Sequence, residues 1–91
     1  MLEELYQLFL KHRVITTDSR QVVPGCLYFA LKGDRFNGNA FALSAIEQGA
    51  ACAVVDEDIS SQDPRIIRVD HVLSTLQALA RRYRQDWSFP V

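Results

Sequence analysis

The stretch "CLYFALKGDRFNGNAFALSAIEQGAACAVVD", residues 26–56, places an amphipathic segment between two apolar runs. The runs at 26–31 and 51–56 have the length and near-continuous apolarity of strands that are covered on both faces. The segment between them has apolar residues at helical spacing and ends at Gly49: Phe41, Ala42, Ala45 and Ile46. Asn39 is the expected cap of this helix. Strand, helix and strand at this spacing predict a βαβ unit with parallel strands.

The flanking sequence adds elements to this unit. Residues 1–12 carry Leu2, Leu5, Leu8 and Phe9 on one face of a predicted helix, and "VITTDSR" predicts a brief strand that runs into a turn. "RIIRV", residues 65–69, predicts a further strand. A final helix, capped by Asp70, is expected to bury one side: Val72, Leu73, Leu76, Leu79, Ala80 and Tyr83. The predicted fold class is α/β, a small sheet with a βαβ unit flanked by helices, in a single domain over residues 1–91.

Composition narrows the class of protein. The chain has 91 residues, 48% of them hydrophobic, and a formal net charge of −1. This share of apolar residues supports a folded core, and the charge gives no general attraction to nucleic acid or to an anionic membrane. Cys26 and Cys52 lack metal-ligand spacing, so buried free thiols are expected and no metal site is predicted. Glu3 and Glu4 stand where a signal peptide carries positive charge, so we expect a cytoplasmic protein.

The loop "GDRFNG", residues 33–38, has the glycine spacing of the first half of a P-loop. A P-loop continues with Lys and then Ser or Thr, which contact the phosphates and the magnesium ion. Here those positions hold Asn39 and Ala40. The loop is therefore not predicted to bind a nucleoside triphosphate in that manner.

Two polar stretches, "TTDSR" at 16–20 and "GDRFNGN" at 33–39, each follow a predicted strand. Loops after parallel strands gather at one edge of a sheet, where open α/β proteins bind ligands. A hydroxyl from Ser19, the N–H groups of the helix start, the cation of Arg35 and the ring of Phe36 would together suit a nucleotide-like anion. The alternative is that both stretches are simple turns, since Asp-Ser and Asn-Gly are good turn pairs.

The other reactive side chains do not assemble into a catalytic group. His12 and His71 have no Ser or Cys at an obvious partner position, and the acidic loop at 56–63 lacks the pattern of a calcium site. Arg81, Arg82 and Arg84 are expected on the solvated side of the last helix. No catalytic residue is predicted in this chain.

The order T-D-S-R, P-G, L-Y-F-A-L-K-G-D-R-F-N-G, A-I-E-Q-G-A and A-V-V-D over residues 14–56 resembles the N-terminal domain of the Mur ligases, which add amino acids to UDP-N-acetylmuramoyl peptides. The tail "VLSTLQALARRYRQDWSFPV" is similar to the segment that leads into the ATP-binding domain of these enzymes. The resemblance implies that the UDP part of the substrate binds at Thr17, Ser19, Arg35, Phe36, Asn37 and Gly38. Asp18, Arg20, Pro24 and Gly25 are then structural turn residues.

Within the family, the sequence looks most like the ligase that joins D-alanyl-D-alanine to UDP-N-acetylmuramoyl-tripeptide, with the ligase that adds the third residue as the alternative. The resemblance implies that ATP and Mg²⁺ bind to a central domain that begins after this chain, so that the 91 residues alone are inactive. Trp87 and Phe89 would then lie near the missing central and C-terminal domains. A stand-alone nucleotide-binding or regulatory module and a plain protein-interaction domain are the other classes that the sequence leaves open.

Overall fold

The computed structural model describes residues 2–12, 14–32, 37–59 and 63–86. These residues form three α-helices and four short strands, with two 3₁₀ turns before the second helix. In chain order they are α1 (Leu2–His12), β1 (Ile15–Thr16), a first 3₁₀ turn (Ser19–Gln21), β2 (Leu27–Phe29), a second 3₁₀ turn (Gly38–Phe41), α2 (Ala42–Glu47), β3 (Cys52–Val55), β4 (Ile66–Arg68) and α3 (Val72–Asp86).

The four strands form one sheet in the order β1-β2-β3-β4, and every neighbouring pair is parallel. Leu27 lies opposite both Ile15 and Cys52, which fixes the register across the first three strands. The predicted βαβ unit is confirmed as β2-α2-β3. Because all strands run the same way, the segments that follow them emerge at one edge of the sheet, here called the C-terminal edge.

Both faces of the sheet are covered, as the apolar runs predicted. In β2 and the residue on either side of it, Cys26, Tyr28 and Ala30 belong to the core beneath α2, whereas Leu27 and Phe29 belong to the core beneath α1 and α3. The α2 side is lined largely by small side chains, Ala42, Ala45, Ala50 and Ala53, which let the short helix lie close to the strands. The structure is therefore a three-layer α/β/α domain.

The two cysteines are free and buried, as expected. Cys26 directly precedes β2 and Cys52 begins the neighbouring β3, but they lie on opposite faces of the sheet, Cys26 in the α2 core and Cys52 in the core of α1 and α3. Burial, and secondarily the nearby Cys26, raises the pKa of the Cys52 thiol to about 12. The thiols are consequently packing residues.

The starts of α2 and α3 differ from the expectation. Asn37, not Asn39, caps the second 3₁₀ turn, because its side chain accepts from the Asn39 N–H. Asp56, not Asp70, accepts from the Val72 N–H at the start of α3. Leu73 and Ala80, expected on the buried side of α3, are exposed. Phe41 is also exposed, since the 3₁₀ turn has three residues per turn and shifts the phase at which its side chains face the core.

Two glycine turns are joined at the opposite edge of the sheet. Gly25, in the predicted Pro24-Gly25 turn, has a φ of 85°, and Gly49, which ends α2, has a φ of 103°. The Gly25 N–H donates to the Gly49 carbonyl at 2.8 Å. Glycine is favoured at both positions because other residues adopt a positive φ only at a cost.

One arginine, Arg82, connects the end of α3 to α1. The Arg82 guanidinium donates to both carboxylate oxygens of Glu3 and lies 4.6 Å above the centre of the Tyr6 ring. Phe9 and Tyr83 meet edge to face beside it, with ring centres 5.1 Å apart. Arg82 is thus not part of a solvated arginine face, in contrast to the exposed Arg81.

Replacing Arg82 by Ala is expected to lower the free energy of unfolding by about 1 kcal/mol, because a partly exposed ion pair and a cation–π contact each contribute roughly 0.5–1 kcal/mol. Arg81→Ala is the matched control and is expected to change it by less than about 0.5 kcal/mol. Urea unfolding of the 91-residue chain measures both. Equal losses of unfolding free energy in the two variants would contradict a stabilising role for the contacts of Arg82 with α1.

Candidate functional site

A cavity of about 500 Å³ opens at the C-terminal edge of the sheet. It lies between the turn at residues 17–20, here the TDSR turn, and the start of the second 3₁₀ turn. All four residues of the TDSR turn line it, together with Tyr28, Gly38 and Phe41. The structure therefore brings Thr17, Ser19 and Gly38 together, from loops that follow β1 and β2. We call this space the two-turn cavity.

The TDSR turn is held by its own side chains. Asp18 caps the first 3₁₀ turn by accepting from the Arg20 N–H at 2.8 Å, and its carboxylate also binds the Arg20 side chain through Nε and Nη2, both at 3.1 Å. The hydrogen bonds from Arg20 hold the pKa of the Asp18 carboxyl below its usual value. The Thr16 hydroxyl is 3.1 Å from the Asp18 N–H, which donates to it. Asp18 and Arg20 thus shape the turn that presents Thr17 and Ser19.

Gly38 forms another wall of the two-turn cavity, and its main chain packs directly against the residues that follow β2. Its N–H donates to the Leu31 carbonyl at 2.7 Å, and its own carbonyl accepts from the buried Tyr28 hydroxyl at 2.9 Å. A Cβ atom at this position would lie 2.7 Å from the Leu31 oxygen. Burial, and secondarily the charge of Asp18, raises the pKa of Tyr28, so its phenol stays a neutral donor. Only glycine allows this close approach.

The N–H groups at the start of the second 3₁₀ turn do not form an anion cradle, contrary to the expectation. Gly38 donates to Leu31, Asn39 to the Asn37 side chain at 3.0 Å, and Ala40 to the Asn37 carbonyl at 3.1 Å. These donors are already used inside the protein. The polar groups that face the two-turn cavity come instead from the TDSR turn.

Phe41 supplies the aromatic wall, which the sequence had suggested for Phe36. Arg35 and Phe36 lie outside the described residues, so their predicted roles stay predictions. Phe41 was expected on the apolar face of the helix, together with Ala42, Ala45 and Ile46. The signal that it faces outward is the Asn-Gly pair before it, which favours a tight turn and thereby changes the phase of the residues that follow.

Asn37, a predicted site residue, lines a neighbouring cavity of about 320 Å³. Its side chain donates to Glu57 Oε2 at 2.9 Å, and Lys32 Nζ contacts the same oxygen at 2.6 Å. The hydrogen bond from Lys32, followed by that from Asn37, lowers the pKa of Glu57. Asn37 therefore connects the segments after β2 and β3, and it does not share the two-turn cavity with Ser19.

The buried Asn39 and the partly buried Asp56 form a pair that holds three elements together beneath this edge. Asn39, 2% exposed, donates to Asp56 Oδ1 at 2.9 Å and accepts from the Asp56 N–H at 3.0 Å. Asp56 Oδ2 accepts from the Val72 N–H at 3.3 Å. Burial favours the neutral carboxyl, but the hydrogen bonds from Asn39 and Val72 and the charge of Lys32 outweigh it and lower the pKa of Asp56. Sequence reasoning missed this pair because its partners are 17 residues apart.

No catalytic constellation emerges from the described part of the chain. His71 Nδ1 and Ser74 Oγ are 3.5 Å apart, which is long for a hydrogen bond, and both residues are exposed. The described residues contain no group of three or more His, Cys, Asp or Glu placed to hold a metal ion. Among these same residues, no helix is long and apolar enough to cross a membrane.

Replacing Asp56 by Asn is expected to destabilise the chain at pH 7 by about 1–3 kcal/mol, since one of the two oxygens that accept from Asn39 and Val72 becomes an NH2 group, which cannot accept. The folded-state pKa of Asp56 lies below 3.8, its ordinary value, so the unfolded chain binds the proton more readily. The stabilisation by the carboxylate is therefore complete above the ordinary value and is lost as the pH falls through the lower, folded-state pKa. Urea titrations of the natural chain and of Asp56→Asn from pH 7 to pH 2 measure the difference in their free energies of unfolding, which is expected to shrink at low pH.

Asp70→Asn serves as the control for that experiment, because Asp70 is exposed and Val72 donates to Asp56 instead. It is expected to leave the stability at pH 7 unchanged. A large loss in Asp70→Asn, or a gap for Asp56→Asn that stays constant down to pH 2, would show that the start of α3 is held differently.

Gly38→Ala is expected to cost about 1–3 kcal/mol, because the added methyl group meets main-chain atoms that have no room to move. Ala40→Ser, on the exposed side of the same turn, is the control and is expected to be nearly neutral. Thermal and urea unfolding measure both. A neutral Gly38→Ala would mean that the turn does not lie against Leu31.

Comparisons with known proteins agree with this architecture. The family described as "Mur ligase family, catalytic domain" matches residues 11–84. The UDP-N-acetylmuramoyl-tripeptide--D-alanyl-D-alanine ligase of Bacillus subtilis is 35% identical over 74 residues, which are 79% of this chain and 16% of that protein. The UDP-N-acetylmuramoyl-L-alanyl-D-glutamate--2,6-diaminopimelate ligase of Aquifex aeolicus is 45% identical over 84 residues, 90% of this chain and 17% of that protein.

A solved structure shows the same likeness in three dimensions. The MurF ligase of Thermotoga maritima, crystallised in complex with ADP, superposes with a TM-score of 0.79 at 30% identity, over 87% of this chain and 18% of that one. This chain thus spans about a sixth of the length of the relatives it matches. The resemblance drawn from the sequence is confirmed: the chain belongs to the Mur ligase family and has the fold of its N-terminal domain.

Proposed function

We propose that this domain holds the uridine diphosphate end of a UDP-N-acetylmuramoyl peptide for a ligase of peptidoglycan synthesis. The observation that carries the proposal is the two-turn cavity, in which Thr17, Ser19 and Gly38 meet at the C-terminal edge of a parallel sheet. Ligands of open α/β sheets bind at this edge. The names of the relatives supply the ligand, since both contain a UDP-N-acetylmuramoyl peptide.

The chemistry of the walls supports a nucleotide. Thr17 and Ser19 provide hydroxyls that either donate or accept, which suits ribose and phosphate oxygens. The carbonyl of Ser19, rather than its hydroxyl, takes the contact from Gln48 at 3.5 Å. Arg20 is 87% exposed, and two of its five N–H donors are used by Asp18, so donors remain for a diphosphate. A cavity of about 500 Å³ lies within the size range of small-molecule sites.

The sequence of residues 33–40 does not fit the ATP and magnesium site of a P-loop. Asn39 and Ala40 stand where a P-loop has Lys and a hydroxyl residue, and Asn39 is committed to Asp56. In the proposed ligase, ATP and Mg²⁺ bind elsewhere, in a central domain outside these 91 residues. This domain contributes by anchoring an unreacting part of the substrate, and such remote binding energy helps to orient the reacting carboxylate. We propose a cytoplasmic enzyme, since its nucleotide-linked substrate and ATP are both cytoplasmic.

Two family members compete for the finer assignment. We favour the ligase that adds D-alanyl-D-alanine to the tripeptide, because the solved structure with a TM-score of 0.79 is a MurF ligase. The second candidate is the ligase that adds the third residue. It is supported by the 45% identity to the diaminopimelate ligase of Aquifex aeolicus over 90% of the chain.

An amide NMR titration of the 91-residue chain tests the anchoring role. UDP-N-acetylmuramoyl-tripeptide and UDP are expected to give saturable shifts at Thr17, Ser19 and Gly38, and ATP little change. Ser19→Ala is expected to weaken UDP binding by about fivefold to tenfold, the equivalent of one hydrogen bond of about 1 kcal/mol. Ser74→Ala, an exposed serine on α3 outside the cavity, is the control. No shift at millimolar UDP, or equal shifts with ATP, would contradict the proposal.

The same titration, run with two substrates, addresses the choice between the ligases. Tighter binding of UDP-N-acetylmuramoyl-tripeptide than of UDP-N-acetylmuramoyl-L-alanyl-D-glutamate favours the D-alanyl-D-alanine ligase, and the reverse order favours the alternative. Equal binding would mean that the peptide is recognised outside this domain.

A further inference from the structure

The packing of α1, β1 and the end of α3 leaves an apolar groove of about 210 Å³, which we call the α1/α3 groove. Phe9 of α1 and Ile15 of β1 line it, and α3 supplies the other lining residues. Phe9, Ile15 and Tyr83 pack against the core but are only partly buried. Within the part of the chain that the structure describes, the core on this side of the sheet is therefore incompletely covered.

The size and chemistry of the α1/α3 groove suit one large side chain. Small-molecule sites usually measure about 300–1,000 Å³ and contain several polar groups that orient the ligand. This groove is smaller, and Arg84 and the Tyr83 hydroxyl are the only polar side-chain groups among the described residues that line it. Its apolar surface is covered most favourably by another apolar group. An aromatic side chain therefore fits it better than a polar ligand does.

The lining residues of α3 continue in register to the sequence beyond the helix. They occupy positions 76, 79, 80, 83 and 84, which share one face of an α-helix. The next position of this series is 87, and it holds Trp87, the only tryptophan of the sequence. Trp87 lies outside the described residues and directly follows Asp86, where α3 ends. The spacing of the chain thus aligns an indole with the groove.

The direction of helical side chains favours the same contact. Each Cα–Cβ bond of a helix leans towards the N-terminus, so a residue covers the surface about one turn before its own position. At position 87, that surface is formed by Tyr83 and Arg84. Arg84 is exposed and precedes Trp87 by three residues, a spacing at which helical side chains are neighbours. Indole is the aromatic ring that best attracts a guanidinium.

We propose that the Trp87 indole docks in the α1/α3 groove and completes the core on this side of the sheet. The contact ties the start of the segment 87–91 to α1 and β1. This docking does not depend on the proposed function. Its consequence for a ligase does rest on that function, because the central domain would follow this segment and be held at a fixed point of the present domain.

Intrinsic fluorescence of the 91-residue chain tests the docking, because all indole emission comes from Trp87. The folded chain is expected to emit at a shorter wavelength than the chain in urea and to be quenched severalfold less by acrylamide. In a urea titration, the emission is expected to move to longer wavelength in the same transition in which the helical circular dichroism is lost. Equal emission and quenching in the folded and unfolded chains would overturn the proposal.

A substitution in the groove locates the indole. Ala80→Gln introduces a longer side chain at an exposed position of the groove, and is expected to move the emission to longer wavelength while the helical circular dichroism is kept. Arg81→Gln is the matched control, since Arg81 is exposed and does not line the groove, and is expected to leave the emission unchanged. Unchanged emission in Ala80→Gln, or equal shifts in both variants, would mean that Trp87 lies elsewhere.

Unfolding equilibria give an independent measure of the contact. Trp87→Ala is expected to lower the folding equilibrium constant about tenfold, because it uncovers the groove. Phe89→Ala, an aromatic truncation in the same segment but outside the helical series, is expected to lower it less than about twofold. Equal losses in the two variants would contradict a specific role for Trp87.

A second copy of the chain is the other source of an indole for this groove. Docking within one chain predicts that the emission and the quenching stay constant through a dilution series, with a monomer in sedimentation. A shift to longer wavelength on dilution would show that the indole comes from another copy, and would overturn the proposal. Failure of the docking leaves the proposed function standing, since UDP binding at the two-turn cavity is measured separately.

Discussion

The carboxylate of Asp56 is the contact on which the geometry of the C-terminal edge depends. Asp56 directly follows β3, and its carboxylate accepts hydrogen bonds from the Asn39 side chain, which comes earlier in the chain, and from the Val72 N–H, which comes later. One residue therefore sets the position of the turn before α2 relative to the start of α3. Asp56 is partly buried, and a carboxylate that loses part of its hydration is costly unless donors such as these replace the lost water.

Much of the fold follows from patterns that extend over a few residues. The apolar runs of β2 and β3 predicted strands covered on both faces, and the structure has α2 on one side and α1 with α3 on the other. The helix ends were harder to predict. Asn39 and Asp70 are of residue types that cap helices, but Asn37 caps the second 3₁₀ turn and Asp56 accepts from the N–H at the start of α3. The hydrogen bonds of Asp56 join residues that are 16 or 17 positions apart, and the role of Asn37 depends on a tight turn, so local sequence did not predict either one.

The candidate site, like the fold, was predictable from the sequence only in part. The topology rule for parallel sheets was enough to predict that Thr17, Ser19 and Gly38 lie near one another. It did not place Phe41, whose direction depends on a 3₁₀ turn, nor did it separate Asn37 from the cavity. Residue type and strand order thus predict which loops meet, whereas the side chains on the shared wall depend on local backbone geometry.

The placement of the two thiols has a practical consequence for the study of this domain. Cys26 and Cys52 are buried on opposite faces of the sheet, so the sheet itself stands between their side chains and prevents them from joining. The Cys52 thiol, with a pKa of about 12, is almost entirely protonated in neutral solution and is a poor nucleophile. The native thiols of the folded chain are therefore expected to react slowly with labelling reagents. A single surface cysteine introduced beside the two-turn cavity will then carry a fluorophore or spin label without removal of the native cysteines.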